Sequence, residues 1–377
     1  MFKKYGQAGT TLFSRLRRNQ NSDVLVIVSR NGLGLLTLVE GLRFLLFNPV
    51  SCPIFLTPKF IYHFLQIKTD DRLVRYIYAT AKTCRTKVIL STDAISQLNA
   101  VKNMLPEVEV VAIMHGLYIA QPENEQIREA WTKARESDVI LFSLGNYDLI
   151  NYRRWGNIHS RIIPVGSLND SIYRSFQFKS PVDIFDLCIV EAAIEINPEK
   201  KFNQIRLANW LKIVEFVNEL VSRNKLRIIV ALSKSNNQEL IRQWFQQRLD
   251  SNISFVESND EFGTYRAIDS SKVSIGDVST SLIEALGRGN RIISLNFTDT
   301  ALLDLPVHAI NRMNKPTYMQ FEERYQNLVS MDQSAYLELT AQETYSSISY
   351  DLHKPAHVAI RSFLESAIQQ RMRGQRK

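Results

Sequence analysis

Cysteine is scarce in this chain. Cys52, Cys84 and Cys188 are all it has in 377 residues, and three distant thiols, odd in number, argue against a disulfide framework or a Cys-based zinc site. The six histidines offer no HxH or HExxH spacing; His353 and His357 are four apart, but Pro355 between them breaks a regular helical pair. No metal site is therefore expected. No P-loop lysine motif and no GxSxG elbow is present. Long uncharged runs are also missing. The most apolar stretch, 32–50, is interrupted by Glu40, Arg43 and Asn48, whereas a membrane span needs about 20 nearly uncharged residues. The basic N-terminus is not followed by an apolar run of signal-peptide length before Asp23. These absences point to a reducing cytoplasm and to peripheral membrane contact at most.

Acidic residues are absent from both ends. Residues 1–22 contain Lys3, Lys4, Arg15, Arg17 and Arg18, and residues 366–377 contain Arg371, Arg373, Arg376 and Lys377, with no Asp or Glu in either stretch. The formal charge of +8 comes from 46 Lys and Arg against 38 Asp and Glu, and without those nine basic residues the remainder is about neutral. A neutral body weakens nucleic-acid binding, which needs a basic stripe on a folded face. It favours a soluble body whose basic ends lie near an anionic surface.

What is present is an ordinary globular composition, 45% apolar and 22% charged, long enough for two domains. Short β-branched runs alternate with amphipathic stretches, the pattern of βαβ units and a parallel sheet. Strands are expected at 24–28, 53–56, 87–90, 108–114, 139–142 and 161–165, with helices over 35–47, 70–82, 94–103 and 123–135 between them. After an aperiodic connector the rhythm resumes with strands at 185–190, 227–232, 253–256, 273–275 and 291–295. The helix expected over 203–223 brings Trp210, Ile213, Val214 and Val217 onto one face. Helices at 319–330, 333–340 and 355–370 close the chain. The reading is α/β: a basic tail (1–22), a Rossmann-like domain (23–166), a linker (167–183), a second Rossmann-like domain (184–345), and a C-terminal helix with a basic tail (346–377). Two consecutive doubly wound domains facing a cleft would place their chemistry just beyond strand carboxyl ends.

The most informative segment runs from Ile275 to Gly289. A strand enters the hydroxyl-rich turn Ser279-Thr280-Ser281 and a helix begins, so backbone N–H groups, the positive end of a helix dipole and three hydroxyls converge on one edge, a ready anion site. Ser281 and Glu284 also fit a capping box, which needs no ligand.

The run "SKVSIGDVSTSLIEALGRGNRIISLNF", with "VVAIMHGLY" at 110–118 and "IIPVGSLNDSIY" at 162–173, resembles GT-B glycosyltransferases, and more closely those of bacterial surface-carbohydrate biosynthesis such as lipopolysaccharide and capsule. The resemblance covers most of 23–345. It implies a nucleotide-sugar donor held mainly by the C-terminal domain, an acceptor held mainly by the N-terminal domain, and no metal or other cofactor. Ser279, Thr280 and Ser281 would hold the donor phosphate, and Glu284 would match the acid that meets the donor in many relatives. The two-glutamate pattern of some retaining enzymes needs acids eight positions apart; position 276 is Gly, so that pattern is absent.

Other candidates follow strands. His115, after 108–114, could take a proton from an acceptor hydroxyl, and Gly116 beside it permits close approach; the alternative is a buried structural histidine. Asp93 is a second candidate base, or a helix N-cap. Asn31 and Gly32 could let backbone approach a substrate, but Arg30–Gly34 lacks the third glycine of a dinucleotide fingerprint. Lys234 can neutralise a diphosphate, or be a solvated loop lysine. Tyr265 can stack a base or be core, and Gly166-Ser167 can hinge the domains. The expected function is a cytoplasmic, membrane-peripheral glycosyltransferase that moves a sugar from a nucleotide donor to a growing surface polysaccharide or lipid-linked glycan. A nucleotide-sugar epimerase, a glycerol-phosphate transferase and a non-catalytic nucleotide- or glycan-binding subunit remain alternatives.

Overall fold

A computed structural model describes residues 22–27, 38–47, 57–91, 96–114, 139–147, 150, 161–176, 184–192, 194–233, 237–250, 253–256, 262–349, 351 and 353–374. The first unit is built on β1 (Val24–Ile27), β2 (Phe44–Phe47), α1 (Pro58–Gln66), α2 (Arg72–Cys84), β3 (Val88–Ser91), α3 (Ser96–Met104), β4 (Glu109–Ile113), β5 (Ile140–Ser143) and β6 (Arg161–Pro164). Its six strands are all parallel, in the order β2-β1-β3-β4-β5-β6. β1 and β3 are buried along their whole length, as expected of strands covered on both faces.

The second unit holds β7 (Phe185–Val190), α5 (Lys201–Asn224), β8 (Ile228–Ala231), α6 (Gln238–Gln246), β9 (Ile253–Phe255), α7 (Gly263–Asp269), β10 (Ser271–Gly276), α8 (Thr280–Gly287), β11 (Ile292–Asn296), β12 (Arg312–Asn314), α9 (Tyr318–Ser330) and α10 (Gln333–Ser347). Its sheet is again six parallel strands, in the order β12-β11-β10-β7-β8-β9. Trp210, Ile213, Val214 and Val217 of α5 are buried in its core, with the Trp210 ring edge-on to Phe245 at 5.8 Å. The fold is therefore two Rossmann-like domains.

Between them lies α4 (Leu168–Ser175), within a stretch that reads as a connector in the sequence. The boundary between the units falls inside it, after Ile172. The first unit also takes back the end of the chain, residues 350–377. Helix α11 (Ala356–Gly374) sets Arg361 on the carbonyls of Leu38 and Glu40, each at 2.7 Å, stacks Phe363 edge-on to Phe142, and pairs Arg371 with Glu109 at 2.8 Å. The C-terminal basic stretch is thus helical through Gly374, and Arg371 is engaged within the fold.

The helix expected over 35–47 does not continue through residues 38–47. Gly41 takes a left-handed turn (φ 78°), after which Phe44–Phe47 pairs with β1. The expected strand 53–56 and helix 123–135 lie outside the described residues. Among the described residues no helix is long and apolar enough to cross a membrane.

Candidate functional site

The central strands of the second sheet end together. β10 pairs with β7 through Gly276 and Val190, and β7 with β8 through Val190 and Ala231. The residues just beyond, Asp277, Glu191 and Ser233, therefore leave the sheet at one carboxyl edge. Gly276 is dictated by this pairing, because a Cβ there would lie 2.6 Å from the Val190 carbonyl oxygen. Any side chain there, an acid included, would force β7 and β10 to shift apart, so the present pairing is incompatible with a partner for Glu284 eight residues before it.

Asp277 is fully buried. Arg206 of α5 meets its carboxylate with both arms, Nε at 2.7 Å and Nη2 at 3.0 Å, and the Trp210 indole N–H donates at 3.0 Å. Arg206 also donates to the Val278 carbonyl at 3.0 Å, so one guanidinium fixes both the side chain and the backbone of the turn entering α8. Burial draws Arg206 down, but the charge and hydrogen bonds of Asp277 outweigh it and raise the guanidinium above its ordinary value. Burial pushes the Asp277 carboxyl up from its ordinary value against the lowering pull of Arg206 and Trp210; the two hydrogen bonds make the pair bidentate.

Glu191 is 3% exposed. One carboxylate oxygen accepts the Ile194 N–H at 2.5 Å; the other accepts the Ser233 N–H at 2.8 Å and the Ser233 hydroxyl at 2.7 Å. The acid thus clips together the segments that follow β7 and β8. Burial pushes its carboxyl up from the ordinary value and the negative Asp277 adds to this, against the lowering pull of its hydrogen bonds.

Helix α8 opens at this edge. Ser279 is its N-cap, with extended backbone, no side-chain capping bond and no acid in the first turn. The first turn therefore brings no acid of its own to the positive end of the helix dipole. Ser279 is buried, while Thr280 and Ser281 are half-buried. The capping-box alternative fails, because Ser281 is not the N-cap and Glu284 turns elsewhere. Glu284 is 4% exposed and accepts a hydrogen bond from the Tyr265 hydroxyl at 3.0 Å. Tyr265 stacks on Tyr173 at 5.0 Å, Arg288 lies over the Tyr265 ring at 4.9 Å, and Asp269 receives Arg288 Nε and the Tyr173 hydroxyl, both at 2.8 Å. Tyr265 is therefore a core residue.

Of the residues chosen from sequence, Ser279, Thr280, Ser281 and Glu284 lie together on the start of α8. Asn31, Gly32, Asp93, His115, Gly116 and Lys234 lie outside the described residues. Sequence reasoning missed Glu191, Arg206 and Asp277 as a group. Two of the three carry a signal, an acid immediately after a buried strand; Arg206 carries none, being 71 positions from its partner. Among the described residues no three metal-ligating side chains gather. Burial pushes the Cys84 thiol up to about 11 and that of Cys188 to about 12, so neither is a thiolate at neutral pH.

No protein-family model matches the sequence, and no curated protein matches it. Solved structures are similar in fold. The S. aureus MnaA–UDP complex matches with a TM-score of 0.57 at 13% identity, over 91% of this chain and 95% of that one. The H444N variant of the wall teichoic acid polymerase TagF matches at 0.56 and 13% identity, over 99% and 98%. A UDP-forming α,α-trehalose-phosphate synthase from Burkholderia xenovorans matches at 0.52 and 9% identity, over 92% and 99%. The architecture is that of the GT-B fold.

Proposed function

We propose that the chain is a glycosyltransferase that moves a sugar from a nucleotide-sugar donor to a surface polysaccharide or lipid-linked glycan. One observation carries the reading: in a GT-B fold, the second sheet's carboxyl edge presents the hydroxyl-rich start of α8, where Ser279 makes no side-chain capping bond and the turn is held by Arg206 on the buried Asp277. Such an edge suits a diphosphate, whose charge the α8 dipole and the first-turn hydroxyls would offset. The fold likeness to proteins described as a UDP complex and a UDP-forming synthase supports a nucleotide donor. Likeness to a wall teichoic acid polymerase supports a polymer of the cell surface as product.

In this reading Ser279, Thr280 and Ser281 hold the donor's phosphates and Lys234 adds a positive charge. His115 or Asp93 removes the acceptor's proton as the sugar transfers, with Asn31, Gly32 and Gly116 beside the acceptor. Glu284 is a framework acid held by Tyr265 before it is a ribose ligand. The basic ends draw the enzyme to an anionic cytoplasmic leaflet, at about 1 kcal/mol per charge, with Arg371 subtracted because Glu109 engages it.

The test is a donor panel. UDP-, GDP-, CMP- and dTDP-sugars and CDP-glycerol are each supplied with a lipid-linked acceptor extract, and the released nucleotide is identified. A free nucleotide with a new glycosidic bond is expected, with His115→Ala slowing it at least a hundredfold. An isomerised sugar, or a transferred glycerol phosphate, would replace the reading with the corresponding enzyme, and binding without turnover would make the chain a non-catalytic subunit.

A further inference from the structure

Among the described residues three ionisable side chains sit around the carboxyl edge of the second sheet, and these three do not balance. Asp277 and Arg206 form a closed bidentate pair. Glu191 is the second acid, almost fully buried, and no base is bonded to it; its partners are two backbone amides and one hydroxyl. Among the described residues the charged groups that face it are Asp277 at the end of β10 and Arg206 on α5. When all three are ionised they carry one excess negative charge, at the edge where a diphosphate would add two more against the single positive charge proposed for Lys234. Removing the excess by neutralising Asp277 would break the pair that holds the α8 turn. Protonating Glu191 leaves that pair intact.

The geometry also provides for the proton. With Glu191 ionised, the Ser233 hydroxyl donates to it at 2.7 Å. A proton added to the same oxygen reverses that bond: the carboxylic acid donates to Ser233 Oγ, and the hydroxyl hydrogen of Ser233 turns away from Glu191. The amide bonds from Ile194 and Ser233 persist, since a protonated carboxyl still accepts.

We propose that Glu191 is a proton-linked positioning residue of the donor site: seating an anion on the 279–281 turn is coupled to uptake of one solvent proton by Glu191, which removes a buried like charge and reorients the Ser233 hydroxyl. This rests on the donor reading for the location of the anion. The sign is fixed by linkage. Anion affinity is highest below the free-state titration of Glu191 and weakens as pH rises between its free and anion-bound values.

The test uses the full chain and sulfate, whose charge is constant over the range. Glutamate carboxyl carbons are labelled with 13C, and the Glu191 signal is identified by its loss in Glu191→Gln. Saturating sulfate is expected to move the Glu191 titration midpoint upward by about one pH unit, and sulfate affinity to fall by up to about tenfold per pH unit across that window. In Glu191→Gln the affinity should change less than about twofold over the same window. An unmoved Glu191 titration, equal pH slopes in the two proteins, or failure of sulfate to bind would each overturn the inference. Should the variant fail to fold, the wild-type proton uptake, read calorimetrically in buffers of different ionisation enthalpy, decides the matter. UDP-glucose and CDP-glycerol, also of constant charge there, separate the two readings. If sulfate shifts Glu191 but no nucleotide donor binds, the donor reading falls and the coupling stands; if a donor binds without proton uptake, the reverse holds.

Discussion

The two units carry the same kind of sheet and fasten its amino edge alike, with one acid between two bases, Asp23 with Arg43 and Lys87 in the first and Asp186 with Arg227 and Lys272 in the second; among the described residues the second unit adds a buried cluster at the carboxyl edge. In the first unit, Asp23 precedes β1, Arg43 precedes β2 and Lys87 precedes β3, and the Asp23 carboxylate is bridged to Arg43 and Lys87, each at 2.7 Å. That is the amino edge of three neighbouring strands. In the second unit Glu191 and Asp277 follow β7 and β10, at the carboxyl edge. The first cluster has one acid between two bases; among the described residues the carboxyl-edge cluster has two acids around one base. Burial pushes Asp23 up, but the hydrogen bonds and charges of Arg43 and Lys87 overcome it and hold the carboxyl below its ordinary value. Glu191 ends above its own. The difference teaches how charge is divided in open α/β sheets: a saturated amino-edge cluster fastens strands, and an unbalanced carboxyl-edge cluster is where a ligand has something to change.

Stability should show the division in opposite pH dependences. A depressed acid contributes stability that is present above the unfolded carboxylate value, about 4, and is lost as pH falls through its folded value. A raised acid does the reverse, and its contribution declines as pH rises from about 4 through the folded value.

Substitutions can break the comparison. The largest effect is expected for Arg206→Ala, which leaves Asp277 fully buried without its base; urea unfolding at pH 7 should show a loss of about 3–5 kcal/mol, together with loss of sulfate binding. Asp23→Asn should cost about 2 kcal/mol at pH 7 and nearly nothing at pH 3, while sulfate binding stays within about twofold. Impaired anion binding in Asp23→Asn would erase the distinction between the two edges. The smallest effect, about 1 kcal/mol by thermal unfolding, is expected for Tyr265→Phe, which removes a hydroxyl donor from the buried Glu284. Loss of donor binding in that variant, with stability kept, would move Glu284 from framework acid to ligand.

The parallel sheets were legible because strands such as Val24–Ile27 and Ile228–Ala231 are compact β-branched runs whose burial on both faces leaves no polar alternation to blur them. Phe44–Phe47 was not, since a Leu-rich stretch fits a helix until Gly41 turns the chain. Helix α1 is missing from the sequence reading although it carries a signal, Thr57 as N-cap followed by Pro58, with Thr57 accepting from Phe60 N. β12 had none, being three residues of mixed polarity. Within the site, the turn at 279–281 could be read because its hydroxyls are contiguous. The groups that hold it could not, because Arg206 meets Asp277, and Glu191 meets Ser233, only through pairing of strands distant in sequence.

The return of α11 to the first unit reverses the order in which the chain can be finished during synthesis. Everything the second unit needs, through Ser349, has been made before the helix that closes the first unit emerges. Ile360 and Leu364, both fully buried, are the late-arriving core of the domain that was begun first. A chain cut short near residue 350 would therefore present an intact second domain beside an open first one, and quality control would meet the fault at the opposite end of the sequence from the lesion.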